Sequence, residues 1–141
     1  MAVEKTYPSM DEWLKEAKQD ENASQVGMYL FHHGVVRATP KKLARAVDDA
    51  DRAEGEALGG VDHVSFSYDK EGLEKAVEEA RTWPGVYYVR VWLNEGDIAV
   101  GDPLMQVLVG ADIRPNTIDA LVKLVGHIKS HLVEETEVYT D

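Results

Sequence analysis

The sequence contains no cysteine among its 141 residues. A disulfide scaffold, a thiolate nucleophile and metal sites held by cysteine are therefore excluded. It also lacks any apolar run near the roughly 20 residues that cross a bilayer. Residues 1–6 lack the charged-then-apolar pattern of a signal peptide. We therefore expect a cytoplasmic protein without a membrane partner.

Positive charge is scarce relative to negative charge. Lysine and arginine number 15 against 26 aspartates and glutamates, which gives a formal net charge of −11 at pH 7. This balance argues against nucleic acid as a partner, because phosphates would be repelled. The length and a hydrophobic content of 44% allow one buried core, so residues 1–141 predict a single domain.

Helix and strand signals alternate along the chain. Helices are predicted from the N-cap Ser9 to residue 17, over 71–82, and from Asn116 or Thr117 to about Val133. Strands are predicted over 25–36, 64–68, 86–93 and 104–109, with a turn at 94–97 and room for a short strand in the acidic tail. The strands at 86–93 and 104–110 are close enough in sequence to pair antiparallel, which indicates an α+β fold.

The segment 38–63 has an ambiguous pattern. Its apolar residues stand at helical spacing, but they are few, and glycines follow them. We predict a variable loop or a surface helix inserted within the domain. The acidic runs at 48–56 and 134–137 are most simply solvated faces.

Lys129 falls within the apolar stripe of the last predicted helix. At 100° per residue, it lies among Ile118, Leu121, Val122, Val125, Ile128, Leu132 and Val133. One interpretation is that its methylenes cover core atoms while the ammonium reaches water. The other is a lysine at the floor of a pocket, acting as a nucleophile or base or pairing with an anionic ligand. The residues alone leave both open.

Two arginines follow predicted strands and suit an anionic ligand. Arg37 ends one strand, and Arg114 stands just before a helix N-terminus. The free N–H groups of a helix N-terminus favour anions, and an arginine adds a bidentate fork. An ordinary surface arginine is the alternative in each case.

The histidines do not indicate a metal site. His127 and His131 are spaced i, i+4, but no glutamate follows the first, so the zinc-protease motif is absent. His32 and His33 are adjacent in a strand and point to opposite faces, one toward the core and one toward solvent. We therefore expect neither a metal nor a cofactor.

Six short segments form an ordered set, at 11–14, 26–37, 72–76, 94–102, 111–114 and 128–129. They include Phe-His-His-Gly-Val-Val-Arg37, Asn94-Glu-Gly-Asp-Ile-Ala-Val-Gly-Asp102 and Ala111-Asp-Ile-Arg114. With their order, and with the spacing from Gly101 to Lys129, they resemble the MoaE family, the large catalytic subunit of molybdopterin synthase. The resemblance covers about residues 7 to 133.

This resemblance implies an α/β hammerhead with an added α+β subdomain, assembled as a homodimer. A ubiquitin-like small subunit would insert its C-terminal Gly-Gly thiocarboxylate into each active site. The enzyme would transfer sulfur to cyclic pyranopterin monophosphate, forming the dithiolene of molybdopterin. Lys129 would be the catalytic pocket lysine, and Arg37 and Arg114 would bind the phosphate or the incoming tail.

The sequence departs from the family pattern at several positions. Thr136 stands where the family has a second essential lysine, if no gap is allowed, and Ile113 replaces a histidine. The family also continues through a further hairpin after the position of Asp141. Three hypotheses follow: a sulfurtransferase, a non-catalytic MoaE-like homologue acting as a binding or regulatory subunit, or an unrelated α+β domain in which Lys129 only reaches toward water.

Overall fold

The computed structural model describes residues 6–140. Expectations that concern residues 1–5 and 141, including the N-terminal pattern, lie outside the described residues. The helices are α1 (Met10–Ala17), α2 (Lys41–Ala44), α3 (Asp49–Ala57), α4 (Lys70–Ala80) and α5 (Arg114–His127). The strands are β1 (Met28–Val35), β2 (Val61–Tyr68), β3 (Val86–Leu93), β4 (Gly96–Ala99), β5 (Pro103–Ala111) and β6 (Val133–Tyr139). A 3-10 turn covers Ala23–Gln25, and a π-helical segment, Ile128–Leu132, joins α5 directly to β6.

Two three-stranded antiparallel sheets organise these elements. The first has the order β1-β5-β3 and the second β4-β2-β6. The predicted pairing of 86–93 with 104–110 is confirmed, since β3 and β5 run antiparallel with Val91 opposite Val107. The tail forms β6, which pairs with β2 along its length. The mixture of helices and antiparallel strands confirms the predicted α+β class.

Each face of the first sheet is covered by helix. On one face, Leu108 packs with Trp13 and Ala17 of α1. On the other face, Val107 and Val109 belong to the larger core, which also contains Leu124 of α5 and Ile128 of the π-helical segment. Strand β5 is therefore buried on both sides, as its nearly unbroken apolar sequence requires.

A side-chain cap marks the start of two of the predicted helices, α1 and α4. The Ser9 hydroxyl accepts a hydrogen bond from the Glu12 N–H at 3.3 Å, so the predicted cap is confirmed. Asp69 caps α4 in the same way, through the Gly72 N–H at 3.0 Å.

The predicted cap of the last helix is wrong. The N-cap residue is Ile113, and α5 begins at Arg114. The carboxylate of Asp112 accepts hydrogen bonds from the Ile113 N–H at 2.7 Å and from the Asn116 side-chain amide at 2.8 Å. The Thr117 hydroxyl instead donates to the Ile113 carbonyl at 2.9 Å, inside the first turn. The helix therefore starts without a side-chain cap, two or three residues before the position that the sequence pattern predicted.

The buried face of α5 differs from the predicted apolar stripe. Thr117, Ala120 and Leu124 are buried, and Ile128 and Leu132 continue this face through the π-helical segment. By contrast, Ile118 is 39% and Val122 67% exposed. The prediction weighted large apolar side chains, whereas the helix packs against β5 and β1 through small ones. The helical frame also changes at Ile128, where the α-helix gives way to π geometry.

The segment 38–63 forms two short helices and leads into β2. Asp48 caps α3 by accepting from the Asp51 N–H at 2.8 Å. Gly55 lets α3 approach α2, since a Cβ there would lie 2.6 Å from the Leu43 backbone. The turn predicted at 94–97 is partly wrong, because β4 begins at Gly96 and pairs with β2. Its four residues are too few for a recognisable alternating pattern.

We expect Leu124→Ala to destabilise the protein by about 2–5 kcal/mol, because truncation leaves a cavity at a side chain only 1% exposed. Val122→Ala, on the exposed face, should change the free energy of unfolding by less than about 0.5 kcal/mol. Denaturant titration of both variants measures the difference. Equal destabilisation by the two changes would contradict the observed orientation of α5.

Candidate functional site

A cavity of about 580 Å³ lies where the two sheets meet the end of α5. Val64 and Phe66 of β2 and Leu104 and Met105 of β5 form its apolar part. Its polar part comes from the end of β1, from the region of α2, from the π-helical segment and from β6. A volume of this size accommodates a small organic ligand.

Four basic side chains line this cavity, namely Arg37, Lys41, Arg45 and Lys129, together with two acidic ones, Glu135 and Glu137. The positive excess is notable because the whole chain has a net charge of −11. A cleft with a local excess of one sign attracts ligands of the opposite sign. The cavity is therefore suited to an anionic ligand.

Lys129 lies on the cavity wall, in the π-helical segment that follows α5. Its side chain is exposed rather than enclosed in the core, although the helical pattern placed it within an apolar stripe. The structure places it beside the cavity. As an exposed ammonium at the cavity, Lys129 presents a charge to any anion that enters.

Arg37 reaches the same cavity, because β1 ends beside it. Val36 fixes the backbone there through two hydrogen bonds, donating to the Asp102 carbonyl at 3.0 Å and accepting from the Gly101 N–H at 2.7 Å. Arg37 is exposed and lines the cavity together with Lys129. The structure thus brings two of the three predicted site residues together.

Arg114 does not lie at this cavity. It is the first residue of α5, whereas Lys129 follows the last. A helix of 14 residues separates them, which corresponds to about 20 Å along the axis. Within one chain, Arg114 and Lys129 therefore stand at opposite ends of α5.

His32 is a cavity residue that the sequence analysis did not select. Its ring is half-buried, and its Nε2 has no hydrogen-bond partner among residues 6–140. Burial, then the nearby charge of Lys129 and then His33, lower the pKa of His32 below its ordinary value. Gly34 makes room for the ring, since a Cβ there would lie 3.3 Å from Nε2. His32 is thus an uncharged imidazole beside an ammonium at neutral pH.

His33 occupies the opposite face of β1, as the alternation of a strand predicts. Its Nδ1 lies 3.1 Å from Oε1 of Gln106, the residue opposite it on β5. The adjacent histidines therefore divide between the cavity and the face covered by α1. The tandem pair in a strand was the signal that one of them would be half-buried.

Strand β6 presents alternate residues to the cavity. Glu135 and Glu137 pair with Phe66 and Val64, which line the cavity, whereas Thr136 pairs with exposed Ser65. The prediction of a solvated face for 134–137 is therefore wrong for Glu135 and Glu137, which are half-buried. Thr136 is exposed and faces away from the cavity, so it does not stand where a cavity lysine would be.

Lys41 joins the segment 38–63 to β6 at this cavity. Its Nζ lies 2.9 Å from Oε2 of Glu135. Its backbone N–H donates to both carboxylate oxygens of Glu137, at 3.2 and 3.1 Å. Tyr139 also donates to Glu137, at 2.9 Å. The position of Lys41 depends on these long-range contacts, which no local sequence pattern indicates.

A smaller cavity of about 310 Å³ adjoins the first and shares Gly126 and Ser130 with it. His127 and His131 lie on its wall with their ring centroids 5.0 Å apart. Lys123 stacks over Trp83 at 4.3 Å from the ring centroid. Across residues 6–140, no group of three or more histidine, aspartate or glutamate side chains is arranged to hold a metal ion.

Comparison with solved structures defines the class of fold as MoaE-like. The molybdopterin synthase of Staphylococcus aureus superimposes with a TM-score of 0.67 and 16% identity, over 95% of this chain and 88% of that one. A Helicobacter pylori complex of subunits 1 and 2 of molybdopterin-converting factor gives 0.61 and 16%, over 95% and 85%. The MoaE protein of Burkholderia ambifaria gives 0.64 and 16%, over 94% and 80%.

These similarities confirm the predicted resemblance to MoaE proteins at the level of the fold. They also disfavour the hypothesis of an unrelated α+β domain. No protein-family model matches the sequence, and no curated protein is significantly similar to it. Within the described part of the chain, no helix is both long enough and apolar enough to span a membrane.

We expect His32→Phe to weaken the loss of stability on acidification. The pKa of His32 is lowered from 6.5 in the folded protein, so the unfolded chain takes up a proton first and the free energy of unfolding falls as the pH drops below that value. The variant lacks this contribution. Denaturant titration at about pH 7.5 and about pH 5.5 measures it, and equal losses in both proteins would refute the assignment.

Proposed function

We propose that the protein acts in molybdenum cofactor biosynthesis as the large subunit of molybdopterin synthase. It transfers sulfur from a small-subunit thiocarboxylate to cyclic pyranopterin monophosphate, forming molybdopterin. The observation that carries this proposal is the cationic cavity of a MoaE-like fold, in which Arg37 and Lys129 lie together. The cavity volume of about 580 Å³ suits a pterin-sized ligand.

The charges of the cavity match the two ligands that this reaction requires. The guanidinium of Arg37 offers a planar fork to a phosphate, which it can bind in a bidentate manner. Lys129 supplies a compact charge in the same cavity, for the reacting part of the substrate or for the thiocarboxylate. Each ligand is an anion, and each gains from a positive cavity on an otherwise acidic surface.

The partner of this subunit is a ubiquitin-like small protein that ends in a Gly-Gly thiocarboxylate. One similar structure is a complex of subunits 1 and 2 of molybdopterin-converting factor, which supports such a partner for this chain. We also propose that the protein is a cytoplasmic homodimer.

A reconstituted conversion assay tests the proposed activity. The protein is mixed with a thiocarboxylated small subunit and cyclic pyranopterin monophosphate, and molybdopterin is measured. We expect Lys129→Ala to lower turnover at least 100-fold, because an interaction made with the reacting groups is lost. Lys75→Ala is the matched control, since Lys75 is a 75% exposed helix residue paired with Glu71, and it should retain wild-type activity.

The proposal of a sulfurtransferase would be overturned if the wild-type protein formed no molybdopterin. This conclusion requires that the protein is a folded dimer and that the small subunit is active with another large subunit. Equal activity of Lys129→Ala and wild type would instead remove Lys129 from the site while leaving the reaction in place.

The location of Arg114 leads to a testable prediction about the proposed homodimer. If Arg114 binds ligand in a cavity, that cavity belongs to the partner chain, because its own lies at the other end of α5. Arg114→Ala and Lys129→Ala proteins should each be inactive alone. After mixing and exchange of subunits, heterodimers contain one complete site, so activity should return to roughly a quarter of the wild-type value. No recovery, with subunit exchange verified by mass spectrometry, would place Arg114 outside the site.

The second candidate function is a non-catalytic binding or regulatory subunit. The two carboxylates of Glu135 and Glu137 at the cavity favour it, because they compete with an anionic ligand for the basic side chains. This candidate predicts a folded dimer that binds the pterin phosphate without forming product in the same assay.

A further inference from the structure

We propose that Lys41 is an anion-binding residue of the cavity and that Glu135 is its internal competitor, which holds the ammonium until a ligand phosphate displaces the carboxylate. This inference rests on the proposed function in one respect, namely that the ligand of the cavity carries a phosphate. It adds a lysine of α2, an element of the segment 38–63, to the basic residues that bind the ligand.

The backbone of Lys41 is fixed independently of its ammonium. Pro40 is buried, and the Lys41 N–H donates to the carboxylate of Glu137 at 3.1 and 3.2 Å. Glu137 is in turn held by the Tyr139 hydroxyl at 2.9 Å. The ammonium, at the end of a flexible side chain, can therefore change partners without moving α2.

The pair between Lys41 and Glu135 lies on the wall of the cavity, where a ligand can reach it. Its atoms are 2.9 Å apart, and the side chains are 33% and 15% exposed. An anion that enters the cavity can therefore approach the ammonium directly and replace the carboxylate as its partner. Inorganic phosphate carries more charge than a carboxylate at neutral pH and presents more acceptor oxygens, so it competes favourably for the same ammonium.

The pairing register of β6 explains why the second lysine of the cavity, Lys41, comes from α2 and not from β6. Positions 135 and 137 face the cavity and carry glutamates, while Thr136 faces solvent. A lysine at position 136 would thus point away from the ligand. Arg45, four residues after Lys41, lines the same cavity, so α2 and its C-cap contribute two of the four cations.

Titration with inorganic phosphate, followed by ³¹P NMR at low ionic strength, tests this inference without requiring turnover. We expect Lys41→Ala to weaken phosphate binding about tenfold and Glu135→Gln to strengthen it severalfold, because the internal competitor is removed. The double variant should bind like Lys41→Ala. Thr136→Lys should leave the affinity unchanged.

The neighbouring pair of Lys42 and Glu54 supplies the matched control. It is also an ion pair of this segment, but neither residue lines the cavity. Lys42→Ala and Glu54→Gln should leave phosphate affinity unchanged, and thermal unfolding of every variant establishes that it is folded.

The opposite signs of the two effects separate ligand binding from a structural role. If Lys41 and Glu135 served only to hold α2 on β6, both substitutions would lower the melting temperature and shift affinity in the same direction or not at all, which would overturn the inference. The absence of phosphate binding by the wild type and by Glu135→Gln up to about 10 mM would also overturn it. Opposite shifts in phosphate affinity without sulfur transfer would support the inference and refute the proposed reaction. Sulfur transfer by the wild type, with no effect of Lys41→Ala on phosphate affinity, would support the reaction and refute the inference.

Discussion

Burial of β5 on both faces is the constraint on which the rest of the structure depends. Both β1 and β3 pair with it, α1 covers one face, and α5 returns across the other. Because β1 is antiparallel to β5, β1 ends beside the start of β5. Because α5 follows β5 and runs back over the sheet, its C-terminal end reaches the same place. Arg37 and Lys129 meet at the cavity for this topological reason, and Arg114 is placed far from it by the same path.

Two further elements contribute charges to the cavity. α2 and its C-cap bring Lys41 and Arg45, and β6 brings Glu135 and Glu137. Burial and then the neighbouring charge of Lys129 lower the pKa of His32, which disfavours a further positive charge beside the four basic side chains. The cavity thus combines an overall positive charge with carboxylates that partly neutralise it, on a chain whose net charge is −11.

Local signals in the sequence were sufficient for much of the fold. The β-branched and aromatic run at 86–93 matches β3 residue for residue, and the side chain of Ser9 fixes the start of α1. Such features depend on a few neighbouring residues, so they can be predicted from them. The orientation of α5 could not, because close packing against β5 selects Thr117 and Ala120 over the larger Ile118 and Val122.

The candidate site was predicted in part for the same reason. Arg37 was recognised by its place at a strand end, and Lys129 by its apolar neighbours and by the family resemblance. Lys41 and Glu135 meet across 94 positions of sequence, which no local pattern records. The pattern around Thr136 was misleading, because an ungapped comparison of positions takes no account of which face of β6 a residue occupies.

The π-helical segment continues directly into β6, so no loop separates the cavity residues of these two elements. Lys129 belongs to Ile128–Leu132, and Glu135 and Glu137 to the strand that begins at the next residue. No intervening loop can absorb a displacement, and β6 is anchored along its length to β2. The backbones of Lys129, Glu135 and Glu137 are therefore fixed relative to one another, and a ligand that contacts these residues meets charges whose attachment points have a set spacing.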